Sequence, residues 1–227
     1  MRLAALQRLA CLSAFFLASH ALGAMITFQT PIGALAGGQS VDATAQFTTS
    51  DNQIFVVLTN LQADPKSVAQ NLSDLLFTVS TGQTTGTLTS SSGRERIVNG
   101  NGTFSDSQCT TSTGWSLTTN DKKLYLNVLG TSIAPAHTII GPANSITGLY
   151  GNANDSIAGN GPHNLFLGMS ASFILSVSGV TSASTINAAT FSFGTTSGSN
   201  VAGTIVPEPA SLSLLTLTAM GMLARRR

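Results

Sequence analysis

The sequence predicts an all-β protein whose body is an antiparallel, jelly-roll-like β-sandwich. Three observations point there: short β-branched and aromatic runs recur along the chain, Gly-, Asn-, Ser- and Thr-rich turn stretches separate them, and hardly any segment carries helical apolar spacing. No repeat period of solenoid type is evident.

Taken in order, strands are expected at residues 26–30, 44–49, 53–61, 75–80, 86–90, 115–118, 123–129, 171–177 and 189–193. Ala45 with Phe47, Phe173 with Leu175 and Val177, and Phe191 with Phe193 repeat every second residue, as strands with one buried face do. Asn99-Gly100-Asn101-Gly102 predicts a tight turn, because Asn-Gly supplies the positive φ angles that hairpins need. One short helix is expected after Asp64: Asp64 caps it, Pro65 suits its first turn, and Val68, Leu72 and Leu75 or Leu76 follow at helical spacing. Residues 141–161, dense in Gly, Asn and Pro, read as a long surface loop, and residues 194–206 as a Gly/Ser/Thr-rich linker. The folded domain is therefore placed at residues 25–193.

Between the chain ends, charge is sparse. Residues 25–206 hold five cations against eight anions, a net −3, although the whole chain is formally +1. Such a body has no basic stripe for nucleic acid. No Gly-x-Ser-x-Gly elbow, His-Glu-x-x-His motif or phosphate loop is present. Glu95, between Arg94 and Arg96, reads as part of a solvated charged edge; a glycosidase would need a second carboxylate across a cleft. His137 and His163 stand beside turn residues. Zinc held by them with Asp155 or Cys109 is weighed below hydrogen-bonded loop histidines, and Asn152-Ala153-Asn154-Asp155 lacks the spacing of a calcium loop. No metal or cofactor is expected. Trp115 has two readings, a core anchor or a tentative ligand-binding face stacked on a sugar ring. Asn71, Asn101 and Asn154 open Asn-x-Ser/Thr sequons. Cys109 reads as a small buried hydrophobe or as a thiol that pairs between molecules, since Cys11 falls in a leader expected to be removed.

That leader is residues 1–24. Arg2 and Arg8 precede the apolar stretch 9–18, and Ala21 and Gly23 are small residues placed for signal peptidase. At the other end, Pro207-Glu208-Pro209 precedes an apolar run at 210–224 and then Arg225-Arg226-Arg227. As a helix the run would be about 22 Å long, a little short of a hydrocarbon core of about 30 Å. The three arginines can snorkel to headgroups and hold the terminus on the cytoplasmic side, which leaves the body outside the cytoplasm. The two prolines stop the helix from running backwards and keep Glu208 in an extended tripeptide.

In these three parts, Val206-Pro207-Glu208-Pro209-Ala210-Ser211-Leu212, the run containing Met220-Gly221-Met222-Leu223, and Ala224-Arg225-Arg226-Arg227, the chain resembles bacterial surface and matrix proteins with a PEP-CTERM sorting domain. The resemblance implies that Pro207, Glu208 and Pro209 are the sorting motif and Arg225, Arg226 and Arg227 the membrane anchor. It further implies processing by exosortase, a membrane protease that removes the tail, much as a GPI signal is lost. Residues 156–164 and 190–195 also look like segments of surface proteins sorted this way, which implies a shared β fold. The resulting expectation is a non-enzymatic, exosortase-sorted surface or extracellular-matrix protein, structural or adhesive, after transient inner-membrane anchoring. The alternatives are a carbohydrate-binding module for exopolysaccharide and a secreted hydrolase with an unrecognised site.

Overall fold

A computed structural model describes residues 22–196 and 198–207 of the chain. Most of the leader, Glu208, Pro209, the apolar run 210–224 and Arg225, Arg226 and Arg227 lie outside the described residues. The described part is all-β with almost no helix, dominated by one large mixed sheet.

In chain order the strands are β1 (Ile26–Gln29), β2 (Leu35–Ala36), β3 (Gln39–Ser40), β4 (Ala43–Ser50), β5 (Gln53–Asn60), β6 (Leu72–Val79), β7 (Thr87–Val98) and β8 (Phe104–Thr110). There follow β9 (Ser116–Asn120), β10 (Lys123–Asn127), β11 (Ile139–Ile140), β12 (Phe166–Ser176), β13 (Ile186–Phe193), β14 (Asn200–Ala202) and β15 (Thr204–Val206). The pairing path runs β14-β13-β6-β11-β12-β5-β4-β1-β15, with β10 and β9 branching from β6, and β7 and β8 from β12. Since only Gly203 separates β14 from β15, the two ends of that path are one continuous piece of chain, and the sheet returns on itself. Gly203 is the residue that makes this crossing fit: a Cβ there would stand 2.8 Å from Phe191 Cε2 and 3.3 Å from Phe28 Cβ.

Alternation drives the core. On β4 and β5, Ala43, Ala45, Phe47, Ile54, Val56 and Leu58 are buried while their sequence neighbours turn outward. Phe47 on β4 meets Phe77 on β6 with ring centroids 5.2 Å apart, though these strands are not neighbours in the sheet, so inner faces from different parts of the sheet pack together. Phe28 stands edge-on to Phe47 at 6.0 Å.

The structure corrects several expectations. Instead of a helix, the segment after Asp64 forms only a 3-10 turn at Val68–Gln70, and Leu72–Val79 is a strand. Leu75, Phe77 and Val79 share a buried face with a period of two, and burial in the sheet outweighs the helical spacing of Val68, Leu72 and Leu75. The expected linker 194–206 instead supplies β14 and β15, held by pairing with β13 and β1. Nor is the sheet wholly antiparallel, because β11 runs parallel to β12, Ile139 beside Leu167. The Asn-Gly turn closes the β7–β8 hairpin as expected, with Val98 opposite Phe104.

Candidate sorting site and its buried polar support

The sorting motif starts where the fold stops. Val206 pairs with Thr27, Ile205 with Phe28 and Thr204 with Gln29, so the chain is zipped into the sheet up to the residue before Pro207. Pro207 is exposed and has no amide hydrogen with which to continue the ladder. Pro207 therefore follows directly on the end of a strand. Because β1 and β15 are antiparallel, the start of β1 and the end of β15 also lie side by side.

The same end of the molecule gathers other turns. Ser50 opposite Gln53, Gln53 opposite Ser176 and Ser176 opposite Thr87 place the β4–β5 turn, the end of β12 and the start of β7 there. The Thr49 hydroxyl donates to the Ser184 carbonyl at 2.9 Å, which brings in the segment before β13. Leu124 opposite Phe77 and Lys123 opposite Asn120 set the β9–β10 turn beside the end of β6. We call this the tail end, and the opposite one the loop end.

The loop end holds the concentrated polar chemistry. Arg96 on β7 is buried and forms a two-pronged pair with Asp106 on β8: Nε donates to Oδ1 at 2.6 Å and Nη2 to Oδ2 at 2.8 Å. Its Nη1 donates to the Tyr150 hydroxyl at 2.7 Å, which donates in turn to the Gly141 carbonyl at 2.7 Å. The guanidinium also lies 4.1 Å from the centre of the Phe104 ring. Burial pulls the Arg96 pKa down, but the hydrogen bond and charge attraction of Asp106, together with the hydrogen bond to Tyr150, outweigh it and raise the value above the ordinary one. Burial pushes Tyr150 up; Arg96 pulls against this, Asp106 and Asp64 add to it, and the net direction is upward. The phenol thus stays protonated and able to donate.

Around this pair, residues 141–161 fold inward more than a surface loop would. Tyr150 and Ile157 are buried with Val68, Val98, Ile140 and Phe166 in a second apolar cluster. Asp64 ties the loop down rather than capping a helix: it accepts from Asn144 Nδ2 at 3.2 Å and from Asn152 Nδ2 at 2.9 Å.

The remaining candidate residues are placed as follows. Trp115 is 5 % exposed, packs on Phe173 at 5.0 Å and donates from Nε1 to the His137 carbonyl at 3.0 Å. It is a core residue, with no free ring face for a sugar. Arg96 corrects the solvated-edge reading: β7 is an interior strand between β12 and β8, and a register shift between Arg94 and Arg96 breaks simple alternation. Glu95 faces the Ser107 hydroxyl at 3.2 Å and His137 Nε2 at 3.5 Å. His137 is buried, its Nδ1 2.9 Å from the Thr113 carbonyl; His163 Nδ1 lies 2.6 Å from the Ser156 carbonyl. Among the described residues no group of three His, Cys, Asp or Glu side chains is placed to hold a metal. Asn154 accepts from Ser156, which closes its stretch into a local turn. Asn71 is fully buried and unavailable as a glycan acceptor, whereas Asn101 and Asn154 are exposed. Cys109 lies exposed on β8, so it is not the buried hydrophobe of the first reading.

The Arg96–Asp106–Tyr150 group went unread in the sequence, though part of it had a signal. Counting outward from the Asn-Gly turn, with 98 opposite 104, brings 96 opposite 106. Nothing local announces Tyr150.

The chain thus presents an all-β body whose closing strand ends at Val206, directly before an exposed Pro207. Comparison with known families matches residues 206–227 to the PEP-CTERM protein-sorting motif, so the chain carries that motif. The motif implies recognition by exosortase and export to the cell envelope or surface. No curated protein and no solved structure matches the chain.

Proposed function

We propose that this is a non-enzymatic structural or adhesive protein of the cell surface or extracellular matrix. Its body is read as a β-sandwich of jelly-roll type, exported through the general secretory route, held briefly in the inner membrane by residues 210–224 and Arg225, Arg226 and Arg227, and then released by exosortase. The observation that carries the reading is the join at Val206–Pro207, where a strand built into the sheet passes straight into the sorting motif. Support for a non-catalytic body comes from how its chemically able side chains are used. Arg96, Asp106, Tyr150, Glu95 and His137 are engaged with one another or with neighbouring backbone, and Trp115 fills the core.

The test is replacement of Pro207, Glu208 and Pro209 by alanine in the native host. The expected result is an uncut, membrane-held precursor by intact mass and fractionation; release unchanged from the parent would overturn the reading.

A further inference from the structure

Three features of the tail end belong together. The first is reach: Val206 is the last residue paired in the sheet and the apolar run begins at Ala210, so at most about 14 Å of extended backbone separates the sheet from that run. The second is composition. Beside the exit, Met25 is 45 % and Ile205 59 % exposed, and β1, β14 and β15 contain no charged residue. The third is charge. Lys122 and Lys123 of the β9–β10 turn, the latter 3.4 Å from the Asp121 carboxylate, balance Asp51 and Asp121, so this end is neutral and the body's whole net −3 lies elsewhere. A short tether, exposed apolar side chains and a neutral charge balance let this end approach an anionic lipid surface, whereas the acidic remainder of the body is repelled by one.

We propose that, in the tethered precursor, the tail end docks on the lipid surface, with Met25 and Ile205 in the headgroup layer and Lys122 and Lys123 facing anionic headgroups, while the loop end points away. The proposal rests on the reading of residues 210–224 as a membrane segment. It fixes the height at which the sorting motif begins, because β15 stays paired with β1 up to Val206. A free linker would have left that height undefined.

The experiment uses full-length precursor reconstituted into phosphatidylethanolamine/phosphatidylglycerol vesicles, with a photocrosslinking amino acid placed singly at Met25, Lys122, Ile205, Asn101 or Ile146. Ile146, on the loop end, is 93 % exposed and as apolar as Ile205, so it controls for hydrophobicity alone. Lipid adducts are expected at 25, 122 and 205 and not at 101 or 146. Lys122→Glu with Lys123→Glu should reduce the adduct at 205 severalfold in these vesicles and leave it unchanged in phosphatidylcholine vesicles. Equal labelling at both ends, or no labelling at either end of a precursor that floats with the vesicles, would overturn the docking but leave the membrane segment standing. A precursor that fails to float would overturn the membrane reading and the docking with it.

Discussion

The central core and the loop-end cluster are both buried, yet they are held by different physics. The central core joins Phe28, Phe47, Phe77, Trp115, Phe173 and Phe191 across folded sheet faces, and apolar burial dominates its energetics. The loop-end cluster has a handful of apolar residues, Val98, Tyr150, Ile157 and Phe166 among them, gathered around the Arg96–Asp106 pair. A loss in the first is felt across every strand that packs on it, whereas a loss in the second stays with the hairpin and loop that the charge pair organises. The contrast teaches where this body fails as a whole and where it can be altered locally.

Phe47→Ala should have the largest effect. The ring touches both Phe28 and Phe77, and the cavity left behind costs about 3–5 kcal/mol. Chemical denaturation should shift as one transition, with protection from hydrogen exchange lowered throughout the sheet.

Arg96→Met should cost about 3 kcal/mol, the low end for a broken buried pair, because the Asp106 side chain is 27 % exposed and can recover some hydration. Here the loss should be regional: hydrogen exchange speeds up in the β7–β8 hairpin and residues 141–164 while β4 and β5 stay protected. Adding Asp106→Leu should restore most of the stability, since two apolar residues replace the pair without an orphaned charge. Uniform loss of protection would show that the two regions unfold as one.

The same contrast marks what the sequence could show. The nine expected strands all have counterparts, because period-two burial is a local pattern that survives in the fold: Ala45 and Phe47, or Phe191 and Phe193, announce their own faces. The sorting motif was legible for the same reason, being contiguous. What escaped depends on partners distant in the chain. Strands β14 and β15 look like a linker, since Asn200, Ala202 and Gly203 have little intrinsic strand preference and are ordered by β13 and β1. Tyr150 gives no local hint that it will meet Arg96, 54 residues earlier.

Asp74, at the start of β6, tests a buried charge with no cation. Burial raises its pKa from 3.8 to about 6, against the opposing hydrogen bonds of Tyr125 and Ser73. Between those values the folded chain holds a proton that the unfolded chain has lost. Stability is therefore fully present below pH 4 as far as this group is concerned and falls as pH rises through about 6. The span corresponds to about 2–3 kcal/mol. Asp74→Asn should flatten this part of the pH profile and stabilise the protein at pH 7, as read by urea midpoints at pH 4.5 and 7; an unchanged profile would show that the carboxyl is solvated.

Tyr150→Phe asks how much of the loop end depends on one hydroxyl. The ring stays, so the packing with Phe104 at 5.5 Å is kept, while Arg96 Nη1 and the Gly141 carbonyl each lose a partner at 2.7 Å. Since Asp106 still engages the guanidinium, the expected cost is about 1–2 kcal/mol, less than for Arg96→Met. It should show as faster exchange at residues 141–150 with the β7–β8 hairpin unaffected. If the hairpin loosened equally, the phenol would be holding the ion pair itself in place, and the loop end would be a single network of Arg96, Asp106 and Tyr150 in which each member depends on the others.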